Sequence, residues 1–124
     1  MAQFFLMIAA IFGGLSVAAG AFGVHALRDR LTDRALEIFE TGSQYQMYHA
    51  LALLAVGILI SRTEPIPPAL STAGFAFIAG VLIFSGSLYA LSISGIKWLG
   101  AITPLGGACF LVGWACLAIA AFKL

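Results

Sequence analysis

Apolar residues run without a single charge over four stretches of the chain, 2–24, about 42–61, about 68–93 and about 104–122. Each is close to the ~20 residues that a helix needs to cross hydrocarbon. None alternates with period two. Backbone groups in lipid must bond within their own segment, so the runs predict spanning helices rather than barrel strands.

Turn chemistry separates the runs. Glu64-Pro65-Ile66-Pro67-Pro68 predicts a rigid turn whose last proline opens the third helix. Thr103-Pro104 offers an N-cap and the same device for the fourth, and Ser94-Gly95 ends the third. Ile96-Lys97-Trp98-Leu99-Gly100 puts a cation and an indole together, which suits the headgroup level. Between the first two runs, Thr32 as N-cap followed by Asp33, Arg34, Glu37 and Glu40, with Leu36 and Phe39 on the apolar side, predicts a short amphipathic helix over about 33–40 at the interface. This helix either runs on into the second span or turns at Thr41-Gly42-Ser43, where glycine and serine together predict a bend. The expected fold class is all-α: an integral membrane four-helix bundle, one domain over 1–124, with that interfacial helix between spans one and two.

Composition narrows the class further. Hydrophobic residues make up 62% and charged residues 9%, against roughly 25% charged in an ordinary soluble domain, which excludes a water-soluble globule. A net charge of +1 with six scattered Lys/Arg excludes a nucleic-acid binder, and two cysteines exclude a disulfide scaffold. The first run lacks a basic n-region and is followed by Arg28-Asp29-Arg30, so it is expected to span the membrane rather than to act as a signal peptide. Arg28, Arg30, Arg34 and Lys97 share one side, against Arg62 and Lys123 on the other. The positive-inside rule makes the first side cytoplasmic and puts both termini of this multi-pass protein outside.

Polar residues gather at one depth. His25 ends the first run, Gln44, Tyr45, Gln46, Tyr48 and His49 open the second, and Ser85, Ser87, Tyr89, Ser92 and Ser94 close the third. Up-down topology puts them all in the leaflet that also receives Glu37, Glu40, Lys97, Trp98 and Thr103. His49 lies roughly 18 Å along the helix from the far end of its segment, inside the hydrocarbon. Glu37, Thr41, Gln44 and Tyr48 form one helical stripe, and Tyr45 and His49 an i, i+4 pair on the neighbouring one.

Two interpretations follow for His25, Glu37, Glu40, Gln44, Tyr45, Tyr48, His49, Ser85, Ser87, Tyr89, Lys97 and Trp98. They line a one-sided polar cleft, with His49 held by Tyr45 and a partner from helix one or three. Alternatively, they bond one another across helices and fix the register of the bundle.

Gly13, Gly14, Ser16, Ala19, Gly20 and Gly23 in the first span, and Gly80, Gly86, Gly106, Gly107 and Gly113 in the last two, predict close helix contact. Cys109 and Cys116 are expected as small buried apolar residues. A His25-His49-Glu40 metal set has weak spacing support, and no catalytic triad, phosphate loop or nucleotide fingerprint is present, so no cofactor is expected. Faint repetition links Gly23-Val24-His25-Ala26-Leu27 to Ser87-Leu88-Tyr89-Ala90-Leu91.

Gly20-Ala21-Phe22-Gly23-Val24-His25-Ala26-Leu27, the stretch from Phe39 through Leu51 with Gln44, Tyr45, Gln46, Tyr48 and His49, Phe84-Ser85-Gly86-Ser87-Leu88-Tyr89, and the stretch from Lys97 through Gly107 together resemble the small membrane proteins grouped as domain of unknown function 423. The resemblance covers nearly the entire chain and implies a four-span bacterial inner-membrane protein. It brings no catalytic residues with it. The expected function is non-enzymatic: a binding or accessory protein whose cleft takes a lipid headgroup, a small amphiphile or a partner helix. The alternative is a small oligomeric transporter or channel with a Glu/His-lined entrance, and an enzyme using Glu40 and His49 ranks third. Expected partners are the lipid bilayer, a second copy of the chain or another membrane protein, and no nucleic acid.

Overall fold

A computed structural model describes residues 1–124. It contains α1 (Ala2–Leu27), α2 (Asp33–Ser61) and α3 (Pro68–Ser94), then a 3₁₀ turn (Lys97–Ala101) leading into α4 (Thr103–Phe122). The chain forms no strand. All four helical segments are long and apolar enough to cross a membrane, and the protein is an all-α membrane bundle. Pro68 stands in the first turn of α3 and Pro104 in the first turn of α4, where the missing N–H costs nothing. Gly95, at φ 72°, takes the left-handed turn that ends α3.

One expected element is corrected. No separate helix covers 33–40, because α2 runs without a break from Asp33 through Thr41-Gly42-Ser43 to Ser61. Thr32 caps it as expected, accepting from the Ala35 N–H at 3.1 Å. The hydroxyls of Thr41 and Ser43 both turn back onto their own helix. Thr41 donates to the Glu37 carbonyl at 2.9 Å and Ser43 to the Glu40 carbonyl at 3.0 Å, while the bare side of Gly42 is filled by the Tyr89 ring.

α1 packs on α2, α2 on α3 and α3 on α4. Lipid tails are as apolar as leucine, so packing and hydrogen bonds rather than burial from water hold such helices together. The packing here sets rings into glycine gaps. The Phe5 ring occupies the space a methyl would need at Gly74, Phe110 does so at Gly80, and Phe77 at Gly113. At Gly106 the obstacle is backbone, since α4 crosses α3 against the main chain of Phe84. Gly13, Gly14, Gly86 and Gly107 differ from expectation: nothing lies within 4 Å of where their Cβ would be, so they make no close helix contact. The core under this packing is Phe5, Leu53, Val56, Leu70, Ala73 and Phe77 with their neighbours, and it fills the half of the bundle near the α2–α3 turn with carbon alone.

α1 and α3 each contain a π-helical stretch, Ala18–Gly23 and Val81–Ser85. Such a stretch adds a residue to the local turn and rotates everything after it relative to the helix face before it.

Candidate functional site

The polar side chains of the upper half form two bonded groups on different sides of α2. In the first, α2 is tied to both α1 and α3. Ser16 of α1 donates to the Ser43 carbonyl at 2.6 Å, and Ser85 of α3 donates to the adjacent Gly42 carbonyl at 2.7 Å. One turn deeper, Tyr89 donates its hydroxyl to Gln46 Oε1 at 2.6 Å, and Gln46 Nε2 donates to the Phe12 carbonyl at 2.8 Å. Gln46, only 5% exposed, therefore joins three helices through one carboxamide. A groove of about 190 Å³ between α1 and α3 has Gln46, Ser85 and Tyr89 in its lining.

The second group joins α2 to α4. Trp114 Nε1–H donates to His49 Nε2 at 3.0 Å. An indole can only donate, so Nε2 is the acceptor and the ring carries its proton on Nδ1. That N–H donates to the Tyr45 carbonyl at 2.7 Å. The His49 ring also lies flat on Phe110, with centroids 3.5 Å apart and planes 7° from parallel. Phe77 and Trp114 close around it. Both nitrogens and one face of His49 are thus engaged. The expected partner from helix one or three is replaced by Trp114 of α4, and the bond to Tyr45 is to its carbonyl oxygen, because the Tyr45 ring packs over Phe84 at 4.8 Å instead. Nearer the end of the bundle, Ser87 and Thr103 pair at 2.6 Å and join α3 to α4.

The twelve predicted positions therefore separate. Ser85 and Tyr89 enter the first group, Tyr45 and His49 the second, and Ser87 the α3–α4 pair. His25 is exposed near the end of α1, and Lys97 and Trp98 are exposed in the 3₁₀ turn. Glu37 is exposed and pairs with Arg34 at 3.2 Å. Glu40 is partly covered, and Gln44 and Tyr48 face outward from α2. No single cleft collects them. No three His, Cys, Asp or Glu side chains stand close enough to hold a metal ion, which leaves the His25-His49-Glu40 set unassembled. Cys109 and Cys116 are partly covered thiols rather than buried ones.

The residues missing from the predicted set are Gln46, Ser16, Ser43, Thr103 and Trp114. A tryptophan in the middle of a span, away from the interfacial belts, carries an N–H that lipid cannot accept, and that was the available signal for Trp114.

Beside the second group, a recess of about 530 Å³ opens between α2 and α4. Its wall is made by Tyr45, His49, Phe84, Phe110 and Trp114, with Pro104, Gly107 and Leu111 along the α4 side. From Pro104 to Trp114 it runs about 15 Å along the helix at ~1.5 Å per residue.

A family model described as "Protein of unknown function (DUF423)" matches residues 19–107. The chain is 45% identical over 119 residues to the UPF0382 membrane protein YwdK of Bacillus subtilis (strain 168), covering 96% of each. It is 45% identical over 121 residues to the UPF0382 membrane protein SAB0533 of Staphylococcus aureus (strain bovine RF122 / ET3-1), covering 98% of this chain and 97% of that one. To a UPF0382 membrane protein of Staphylococcus epidermidis (strain ATCC 12228 / FDA PCI 1200) the identity is 44% over 119 residues, covering 96% of this chain and 95% of the relative. No solved structure matches. With the family model spanning most of the sequence and relatives of this identity aligned almost end to end, the chain belongs to the DUF423 family of membrane proteins.

Proposed function

We propose that this membrane protein is a non-enzymatic binding protein, and that the recess between α2 and α4 receives the hydrocarbon tail of an amphiphile drawn from one leaflet. The observation that carries the proposal is the form of the recess: a wall of rings and small apolar groups about 15 Å long, half of the ~30 Å hydrocarbon thickness. His49 adds its ring to that wall while both of its nitrogens stay bonded, so an entering chain leaves neither of them unpaired. The Ser87–Thr103 pair and the 3₁₀ turn with Lys97 lie toward the same end as Pro104, where a headgroup would rest.

Transport has less support. No buried side-chain nitrogen or oxygen lacks a partner, and the half of the bundle near the α2–α3 turn is packed with Phe5, Leu53, Val56 and Phe77, leaving no polar path. Glu40 and His49, the pair an enzyme would need, are not bonded to each other, and His49 is already held by Trp114. The proposed orientation keeps both termini outside, on the strength of Arg28, Arg30, Arg34 and Lys97 at one end. Reporter fusions at each terminus check it.

The binding test uses Trp114 fluorescence in a Trp98→Phe protein reconstituted in phosphatidylcholine vesicles, titrated with a bromine-labelled fatty acid. Saturable quenching, reversed by unlabelled fatty acid and lost in Gly107→Phe, is the expected result. Gly107 lines the recess and a Cβ there meets nothing within 4 Å, so a ring at this position enters the recess, and helical ellipticity checks that the variant folds. Quenching that rises linearly and is the same in Gly107→Phe would refute the proposal.

A further inference from the structure

α2 presents to the membrane an outer face that nothing in the chain covers. Thr41, Gln44, Tyr48, Leu51, Ala55 and Ile58 succeed one another at spacings of three and four, and all but the partly covered Thr41 are exposed. The lower part of this face is aliphatic and suits lipid. The upper part does not. Thr41 satisfies its hydroxyl on its own helix, but the Gln44 carboxamide and the Tyr48 hydroxyl bond nothing within the chain.

Both lie within the hydrocarbon. Gln44 stands 17 residues from Ser61, about 26 Å along the axis, and Tyr48 about 6 Å deeper, in a hydrophobic layer ~30 Å thick. Neighbouring helices agree on the depth: Ser43 sits level with Gly20, a full two turns before the end of α1. A carboxamide there has two donors and an acceptor, and acyl chains offer it none of their complements.

We infer that this face pairs with the same face of a second copy of the chain. Copies inserted in the same direction are related by an axis along the membrane normal, so their α2 helices run parallel and residues of equal depth meet. Positions alternating by three and four are the seam of a left-handed parallel pair. Across that axis Gln44 faces Gln44 of the second copy, and a carboxamide, being donor and acceptor at once, closes a reciprocal pair with its own image. One such polar residue in an otherwise apolar seam fixes the register. Above it, Glu37 is already neutralised by Arg34 at 3.2 Å, so the end of the seam does not bring bare like charges together. Below it, Leu51, Ala55 and Ile58 complete the contact.

Two measurements test the inference. In a Cys109→Ala, Cys116→Ala protein, single cysteines are placed at Gln44 and Leu51 on the seam, and at Gly14 and Phe75, which are exposed on α1 and α3, and the native membranes are oxidised. Disulfide-linked homodimers are expected from positions 44 and 51, with only background from 14 and 75. In phosphatidylcholine vesicles, energy transfer between labelled copies is expected to show a dimer that Gln44→Leu weakens about three- to thirty-fold, the range set by hydrogen bonds between membrane helices, and that Gln44→Asn restores to within about three-fold of the parent. Thermal melting in detergent confirms that each variant folds. Monomers at every protein density, homodimers linked only through position 14 or 75, links from position 44 only to a different protein, or a Gln44→Leu dimer of parental strength would each overturn it.

Discussion

Neighbouring glycines at the start of α4 allow the packing to be tested with one methyl group placed two ways. Gly107→Ala puts the methyl where nothing lies within 4 Å. The helix gains what alanine gains over glycine, up to about 1 kcal/mol. Gly106→Ala gains the same propensity, but its methyl runs into the Phe84 main chain and stands 2.7 Å from the Phe84 Cα and Cβ. A ring or a long side chain could swing aside; a helix backbone moves only if the α3–α4 crossing opens. Overpacking of this kind costs about 1–3 kcal/mol, so Gly106→Ala is expected to lose up to about 2 kcal/mol net, and the two variants to differ by about 1–3 kcal/mol. Equilibrium unfolding in mixed detergent micelles, followed by helical ellipticity, measures the difference. Equal stability of the two variants, or greater stability of Gly106→Ala, would refute the close crossing at Phe84.

Other expectations follow from single bonds. Trp114→Phe keeps the aromatic contact with Phe77 but leaves His49 Nε2 without its donor, and should cost about 1–2 kcal/mol in the same unfolding assay; in a Trp114→Phe, His49→Phe double-mutant cycle the two losses should be less than additive, since the bond is already gone. Tyr89→Phe should cost about 0.6 kcal/mol, with about 1.7 as an upper bound, because it removes one bond between membrane helices and leaves Gln46 Oε1 bare. Gly74→Ala should destabilise measurably against Gly86→Ala, which gains up to about 1 kcal/mol as Gly107→Ala does, since the first methyl meets the Phe5 ring and the second meets nothing.

Depth was legible in the sequence and direction was not. Rise per residue is constant, so counting along each helix is enough to rank His49, Gln44 and their neighbours by height in the bundle, and the prolines at 68 and 104 mark where α3 and α4 begin. Which way a side chain points depends on helix phase. The π-helical stretches at Ala18–Gly23 and Val81–Ser85 shift that phase, and no hydropathy signal marks them. Hence Ser85 and Tyr89 could be assigned to the correct height but not to their partners on α2. The pairing of His49 with Trp114 spans 65 residues and joins two helices that have no such stretch; it was out of reach because counting along the chain does not give the rotation of one helix against another. That α2 runs unbroken through Thr41-Gly42-Ser43 was hidden because its support is tertiary: the Tyr89 ring fills the bare side of Gly42, and Ser16 and Ser85 bond the Ser43 and Gly42 carbonyls.

Angle, then, distributes the work of α2, and one pair of substitutions separates its inner and outer roles. Gln46 points inward and bonds both α1 and α3, while Gln44, two residues earlier, points out of the bundle. Gln46→Leu removes two bonds and strands the Tyr89 hydroxyl, so it should cost about 1–2 kcal/mol of folding stability, taking ~0.6 kcal/mol or somewhat more for each bond. It leaves the outer seam intact, and association of the folded protein should be unchanged. Gln44→Leu does the opposite: it exchanges an unpartnered amide for an aliphatic chain facing lipid, which leaves folding stability level or slightly improved while association weakens. Unfolding and energy transfer measured on both variants give a two-by-two result. If Gln44→Leu unfolds the protein, or Gln46→Leu abolishes association without lowering stability, the division of α2 into an inner bonded side and an outer pairing side is wrong, because each effect would then come from the face that the geometry assigns to the other.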